Sequence, residues 1–451
     1  MGNSFIEALA AGLPIIGTPV GGITDIIEDP SAGSGRATGL FAERDDPHDL
    51  AEKIIHLLRD HNLAASIARE GLRMVRERFL WDKISEQYGV LFSQHRVLTI
   101  LIATPLLPPQ LGGPALYVKH LGDEFKKMGH RVRTVSFGHF LRYPSGLRHL
   151  LYFFALLPRA LRSDLIFALD YTSVGFPTAV AAWFLRKPLI IRVEGDFLWE
   201  KFVERTRLDV TLPMFYGKPQ PLSFKERLIL YVSGWVMRRA TRLGFSSEWR
   251  RQMIIDAYRV PVKKTVIIRN AFPFVGNPTR RQRGNVILWA GRMLYLKNLH
   301  RLIRAFASID ISSYELYLVG EGPEKKNIER LVREQHAERR IKLFPAMSHQ
   351  ELMEKLALST AVILPSLSDV GPNVVAEAIG ALVPVIMTKE SGYAEVFHDA
   401  VILIDPLDEA DLREKLKKFI EKPAERTIPK IGFSRSWTAA AKDWLSLFNT
   451  L

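Results

Sequence analysis

The 451-residue chain contains no cysteine. That excludes disulfides and thiolate-held metals and leaves the redox compartment open. It also has no apolar run near the ~18–20 residues that a membrane-spanning helix needs. The best stretch, Leu150–Leu157, is short and closed on both sides by Arg148 and Arg159. No charged segment followed by an apolar one opens the chain, so a secretory leader is not expected and a cytoplasmic location is. Met1-Gly-Asn-Ser looks like the start of a myristoylation signal. Such a signal wants Ser or Thr at the sixth position, however, and Ile6 stands there. None of the 12 histidines falls in a metal-binding spacing, so no metal site is expected. No nucleic-acid module signature appears and no interleaved aromatics form a base-stacking platform, which makes nucleic acid an unexpected partner.

What is present is basic charge, unevenly spread. The net charge is +14, yet residues 1–93 hold 9 Lys and Arg against 14 Asp and Glu. The excess therefore lies in the rest of the chain, in Arg142–Arg162, Arg238–Lys264 and Arg280–Arg283. A surface of that kind suits an anionic membrane surface or a phosphorylated substrate; a solvated basic face with no partner is the plain alternative.

The chain also repeats itself. Displaced by 370 positions, Asn3, Glu7, Ala8, Ala11, Pro14, Ile16, Thr18, Gly22 and Asp29 meet Asn373, Glu377, Ala378, Ala381, Pro384, Ile386, Thr388, Gly392 and Asp399. Both copies run on to an aromatic-rich helix, Trp81–Tyr88 and Trp437–Trp444. Solenoid periods are only roughly 20–50 residues, so the pattern indicates two related domains, of which only the second has its upstream half. From Val97 onward short β-branched runs alternate with helical stretches, the pattern of parallel α/β architecture. Strands are expected at 97–103, 131–136, 165–168, 189–193, 244–246 and 265–268. A Pro- and Gly-containing linker over 272–285 follows, then strands at 286–290, 315–319, 341–344, 362–364, 383–388 and 401–404. The N-terminal piece reads as a helix from Ser4, a strand over 14–18, a Gly21–Gly22 turn, a strand near 39–41, and helices 47–59, 62–78 and 81–94. Two doubly wound domains joined by a hinge place a cleft at the carboxyl ends of two sheets, where ligands of open α/β sheets bind.

The chemistry concentrates in Pro365-Ser-Leu-Ser-Asp369-Val-Gly371-Pro-Asn373-Val-Val-Ala-Glu377-Ala. A strand ends, a glycine turn follows and a helix opens at Asn373. Backbone N–H groups at a helix N-terminus attract an anion, and a glycine lets a phosphate approach closely. Carboxylates at 369 and 377 would repel a diphosphate unless they bind sugar hydroxyls. Glu7 has a structural explanation, because Ser4-x-x-Glu7 is a capping box; Glu377 has none, since Val374 stands where its hydroxyl partner would be.

This stretch resembles the E-x7-E motif of the retaining GT-B glycosyltransferases of family 4, with Asp369 in place of the first glutamate. Other landmarks of that family are present in order. Gly112-Gly113-Pro114 follows the first strand as the glycine loop does, and Gly129-His-Arg-Val leads into the second. Gly291-Arg292-Met-Leu-Tyr-Leu-Lys297-Asn is similar to G-R-L-x-x-x-K-G, and Leu318-Val-Gly320-Glu-Gly322-Pro to the next strand end. One departure is Val193-Glu194-Gly195-Asp196-Phe-Leu-Trp199-Glu200, where many relatives carry His-Asp; it resembles a subgroup with a G-D-x-x-W-E pattern. Asp196 and Glu194 stand there at a strand's carboxyl end, and a turn aspartate capping the next helix is the structural alternative.

The resemblance implies an α/β, GT-B fold: a partial donor-domain fragment of a related enzyme over 1–95, a Rossmann-like acceptor domain over 96–275, and a nucleotide-sugar donor domain with a terminal crossover helix over 276–451. It implies a hexosyltransferase that moves a sugar from a nucleotide-diphosphate donor to an acceptor saccharide or lipid-linked saccharide, with retention of configuration, in surface polysaccharide or glycolipid synthesis. The site residues it carries over are Gly112, Gly113, Arg292, Lys297, Gly371, Asn373 and Glu377 for the donor. Arg292, Lys297, Asp369 and Asp196 carry the catalytic role. No cofactor is implied beyond the donor itself. The location implied is cytoplasmic, with peripheral attachment to the inner face of the membrane. The rival class is a sugar-nucleotide-binding pseudoenzyme; a GT-B epimerase is disfavoured, because epimerases lack this turn.

Overall fold

The computed structural model describes residues 3–28, 37–80, 84, 97–107, 113–272, 284–310, 313–423 and 435–451. Gly112, most of the expected linker and nearly all of the expected helix 81–94 lie outside them. The chain divides into two compact units, Met1–Arg96 and Val97–Leu451.

In the first unit, helix α1 (Asn3–Ala10) precedes strand β1 (Ile16–Gly17), which pairs in parallel with β2 (Leu40–Phe41). Helices α2 (Pro47–Arg59) and α3 (His61–Arg78) follow. Leu9, Ile15, Ile26, Ile27, Met74 and Val75 form its main apolar cluster. Because α1 already includes Asn3, Ser4 lies inside its first turn rather than at its cap, which corrects the expected capping box.

The second unit holds two parallel sheets, each six-stranded among the described residues. The first is built from β3 (Thr99–Thr104), β4 (Arg131–Ser136), β5 (Leu165–Ala168), β6 (Leu189–Arg192), β7 (Arg242–Phe245) and β8 (Thr265–Ile267), in the order β4-β3-β5-β6-β7-β8. Its helices are α4 (Gly113–Lys127), α5 (Ser145–Leu161), α6 (Gly175–Leu185), α7 (Phe197–Thr206), α8 (Leu212–Gly217), α9 (Phe224–Arg239) and α10 (Glu248–Tyr258). The central strands are buried throughout, as parallel strands covered on both faces must be. Strand β7 begins two residues before the expected start, since Arg242 and Leu243 pair with Ile190 and Ile191.

The second sheet comprises β9 (Val286–Ala290), β10 (Glu315–Val319), β11 (Ile341–Phe344), β12 (Ala361–Leu364), β13 (Val385–Thr388) and β14 (Ile402–Ile404), ordered β11-β10-β9-β12-β13-β14. Helices α11 (Leu299–Ala307), α12 (Lys325–Glu334), α13 (His349–Leu358), α14 (Asn373–Gly380), α15 (Gly392–Val396) and α16 (Glu409–Glu421) connect and flank it. The last helix, α17 (Trp437–Asn449), returns to the first sheet, where Ala441, Trp444 and Phe448 join the cluster of Ile100, Phe125 and Phe167. The Trp444 indole N–H donates to the Tyr117 hydroxyl at 2.8 Å. The carboxyl ends of the two sheets meet: Leu198, Trp199, Phe202 and Leu212 pack with Leu296, Leu367 and Val370.

Beyond the segment that repeats at 370 positions, a matching local geometry recurs at a displacement of 362 (408 − 46). Helices α2 and α16 are each 13 residues long, and Asp46 and Asp408 cap them by accepting from the second and third backbone N–H groups. Asp49 accepts from the Glu43 N–H at 2.7 Å and pairs with Lys53; Asp411 accepts from the Asp405 N–H at 2.7 Å and pairs with Lys415.

Candidate functional site

The loop after β9 carries Arg292 and Lys297, and two glycines hold it close to the end of β10. A Cβ on Gly320, which sits at φ +145°, would lie 1.9 Å from the Gly291 carbonyl oxygen, and one on Gly322 would lie 2.2 Å from that of Met293. Side chains there would push the loop off the sheet. Asn298, in the left-handed region at φ 58°, ends the loop and opens α11. Its amide donates to the Pro365 and Pro406 carbonyls at 2.9 and 2.8 Å, so the lysine loop is tied to the strand end that precedes the acidic turn.

That tie brings together two of the expected residues. Lys297 Nζ donates to Asp369 Oδ2 at 2.6 Å, with both side chains largely covered. The Asp369 N–H in turn donates to the Glu390 carbonyl, which fixes the acidic loop against the strand edge at Ser391. Gly371 and Pro372 then lead into α14. Its cap residue, Pro372, offers no side-chain acceptor, and the Asn373 and Val374 N–H groups have no partner among the described residues. Unclaimed N–H groups at a helix start form an anion site. Arg292 is exposed and makes no hydrogen bond or ion pair with the described residues, so its guanidinium is available to a ligand. Glu377 lies one turn into α14. Burial raises its carboxyl, and His349, with Nδ1 at 3.8 Å, works against that rise. Gly113 is the first residue of α4, and Gly112 precedes the described segment.

Of the two carboxylates expected at the end of β6, the structure buries one and sets the other against the glycine turn. Asp196 caps α7 by accepting from the Trp199 N–H at 2.9 Å. Its other oxygen accepts from Tyr216 at 2.6 Å and from Arg250 at 2.9 Å, and the Asp196 and Arg250 side chains are both fully buried. Both oxygens are engaged and the side chain is buried, which is the helix-capping alternative offered for this aspartate: Asp196 sets the start of α7. Glu194 reaches the glycine turn before α14. A Cβ on Gly371 would lie 3.2 Å from Glu194 Oε2 and 3.3 Å from Asn270 Nδ2. Glu194 Oε1 is buried without a hydrogen bond, although Arg192 stands 3.4 Å away, itself held by Asn270 and stacked over Tyr117.

Glu200 is the residue that sequence reasoning passed over, although it closes the G-D-x-x-W-E pattern. It lies one turn into α7, its side chain accepts no hydrogen bond from the described residues, and its carboxyl is pushed up to about 7. Burial is the main cause; Lys297 opposes it, and the negative charges of Asp196 and Asp369 add to it. A carboxylic acid in that range exchanges protons near neutrality. The site thus combines a free guanidinium, a helix N-terminus, a lysine shared with a carboxylate, and a half-buried acid. A cavity of about 450 Å³ lined by Arg207, Tyr295, His300 and Glu324 lies beside this group and contains neither Asp369 nor Glu377.

Comparison with known proteins agrees with this geometry. The family described as "Glycosyl transferases group 1" matches residues 276–432, and a second one of the same description matches residues 1–60. Each of the two units therefore contains a segment similar to glycosyltransferase group 1 proteins. The N-acetyl-alpha-D-glucosaminyl L-malate synthase of Bacillus anthracis is 34% identical over 91 residues, 20% of this chain and 22% of that protein. The chain thus spans about a fifth of that relative's length. Among solved structures, Anabaena HepE in complex with UDP and glucose aligns over 78% of this chain and 100% of its own, with a TM-score of 0.60 at 18% identity. Sucrose-phosphate synthase from Thermosynechococcus elongatus aligns over 79% and 99%, with a TM-score of 0.61 at 17% identity. The fold is GT-B: two Rossmann-like domains facing a cleft.

Proposed function

We propose that residues 97–451 transfer a hexosyl group from a nucleotide-diphosphate donor to an acceptor hydroxyl with retention of configuration. The observation that carries this reading is the joining of Lys297 to Asp369 beside the open N-terminus of α14, with an exposed Arg292 on the same loop as Lys297. The diphosphate takes the Asn373 and Val374 N–H groups, Arg292 and Lys297. Arg292 grips it in bidentate fashion, while Lys297 bridges phosphate and Asp369 as a point charge. Glu377 takes the nucleotide ribose and Asp369 the donor sugar. As the bond to the sugar breaks, charge gathers on the departing diphosphate, and these donors stabilise it without reorganising. The acceptor enters from the first domain past Glu194 and Glu200, and the leaving phosphate takes the acceptor proton in a front-face displacement. No metal is required in this scheme, and the donor is the only small molecule needed.

The solved relative bound to UDP and glucose supports a nucleotide sugar as donor. The basic first domain supports a lipid-linked or membrane-proximal acceptor, in surface polysaccharide or glycolipid synthesis at the cytoplasmic face. The match at residues 1–60 supports reading the first unit as the end of a related donor domain. A donor-consumption assay over a panel of nucleotide sugars, with and without acceptors and with Arg292→Ala as control, tests the reading. Donor binding without any consumption would leave a binding protein and refute transfer.

A further inference from the structure

The outer surface of the first domain carries an apolar stripe that no described residue of its own unit covers. On α5, Leu147, Leu150, Phe154 and Leu161 are 44%, 52%, 60% and 60% exposed, while Tyr152, Leu156 and Ala160 are buried against the sheet. At about 100° per residue the four exposed positions fall within one stripe roughly 60° wide. The neighbouring helix α6 ends in Trp183 and Phe184, 59% and 73% exposed. Neither helix contains an acidic residue. Arg162, Arg186 and Lys187 follow the two helix ends, while Arg159 is exposed further round α5 and Arg148 is half-buried over the Phe137 ring. Arg239 lies over the Trp183 ring at 5.2 Å and extends the cationic border.

We infer that this face of α5 and α6 docks on an anionic lipid bilayer. Leucine, phenylalanine and tryptophan side chains enter the boundary between headgroups and acyl chains, and the bordering arginines reach lipid phosphates. Each basic group near such a surface adds to the attraction. Charge complementarity selects the occupant. A second copy of the chain docked on the same face would oppose arginines with arginines across a two-fold axis. The position fits as well. Both helices run back from the carboxyl edge of the sheet, so Leu161, Trp183 and Phe184 lie at the end away from Gly371, and docking there leaves the donor loops open. The inference deepens the membrane-proximal part of the proposed function, and its test does not depend on the transfer chemistry.

The test is flotation of the full chain with vesicles of phosphatidylcholine alone and of phosphatidylcholine mixed equally with phosphatidylglycerol. The chain is expected to float with the mixed vesicles only and to be released by salt. Leu150→Ser with Phe154→Ser should weaken binding by about tenfold or more, and Arg159→Gln with Arg162→Gln by about fivefold per arginine. Leu13→Ser, which removes an exposed leucine of the first unit, should change nothing. All these positions are exposed, and an unchanged melting temperature confirms that each variant is folded. Equal binding to both vesicles, binding to neither, or full binding by both double variants overturns the proposal. So does a dimer in sedimentation that Phe154→Ser dissolves, because the face would then be a self-association surface.

Discussion

Replacing Glu200 by Gln tests whether the acid inferred in the cleft is held there against its own ionisation. The carboxyl moves from 4.5 in the unfolded chain to about 7 in the folded one, chiefly through burial. The folded state therefore binds the proton more tightly. Stability from this group is fully present below the unfolded value of 4.5 and is lost as pH rises through about 7. At about 1.4 kcal/mol per pH unit, the gap corresponds to roughly 3 kcal/mol against the ionised form. The side chain keeps some contact with solvent, so that figure is a ceiling. Glutamine has nearly the same shape and no charge to lose. Glu200→Gln should match the parent in mildly acidic solution and exceed it above neutrality by up to about 3 kcal/mol, with roughly 2–4 °C in Tm for each kcal/mol in a domain of this size. The assay is thermal unfolding of parent and variant across that pH range. A stability difference that is constant with pH, or a variant less stable than the parent in alkaline solution, would refute the reasoning.

Arg292→Ala and Lys297→Ala should each weaken donor binding or turnover by about 1.5–3 kcal/mol, the worth of a charged hydrogen bond, measured as the change in kcat/KM. Lys297→Ala also leaves Asp369 unpaired, so adding Asp369→Asn to it should restore part of the loss in stability. Asp369→Glu restores the residue usual in the family it resembles; sugar preference or turnover should change while nucleotide affinity holds, and a variant identical to the parent in both would make Asp369 a turn residue only. Asp196→Asn removes the charge facing the buried Arg250 and should cost about 3–5 kcal/mol of stability in calorimetry, whereas a stable variant with lost turnover would return Asp196 to a catalytic role. A chain begun at Val97 should keep donor binding; loss of binding would show that the first unit completes the fold.

The sequence by itself determined the features that depend on neighbours along the chain. Strands such as Leu165–Ala168 and Val286–Ala290 appear where short apolar runs place them, because a parallel strand covered on both faces must be apolar along its length. The repeat was legible too, and beyond it the paired caps Asp46 and Asp408 carry the same local chemistry. The turn at Gly371 leading into α14 was legible for the same reason: strand end, glycine and helix start are consecutive. Only the tertiary structure decided what each charge does. Lys297 and Asp369 stand 72 positions apart, and their pairing follows from the way Asn298 ties two loops together. Asp196 looked like a cleft carboxylate because it follows a strand, yet Arg250, 54 positions on, takes it into the interior. Glu194 and Glu200, two residues before Asp196 and one helical turn after it, remain near the glycine turn and Lys297 respectively. Burial and charge at a carboxylate come from residues remote in sequence, so spacing alone could locate the cleft but could not say which acids face into it.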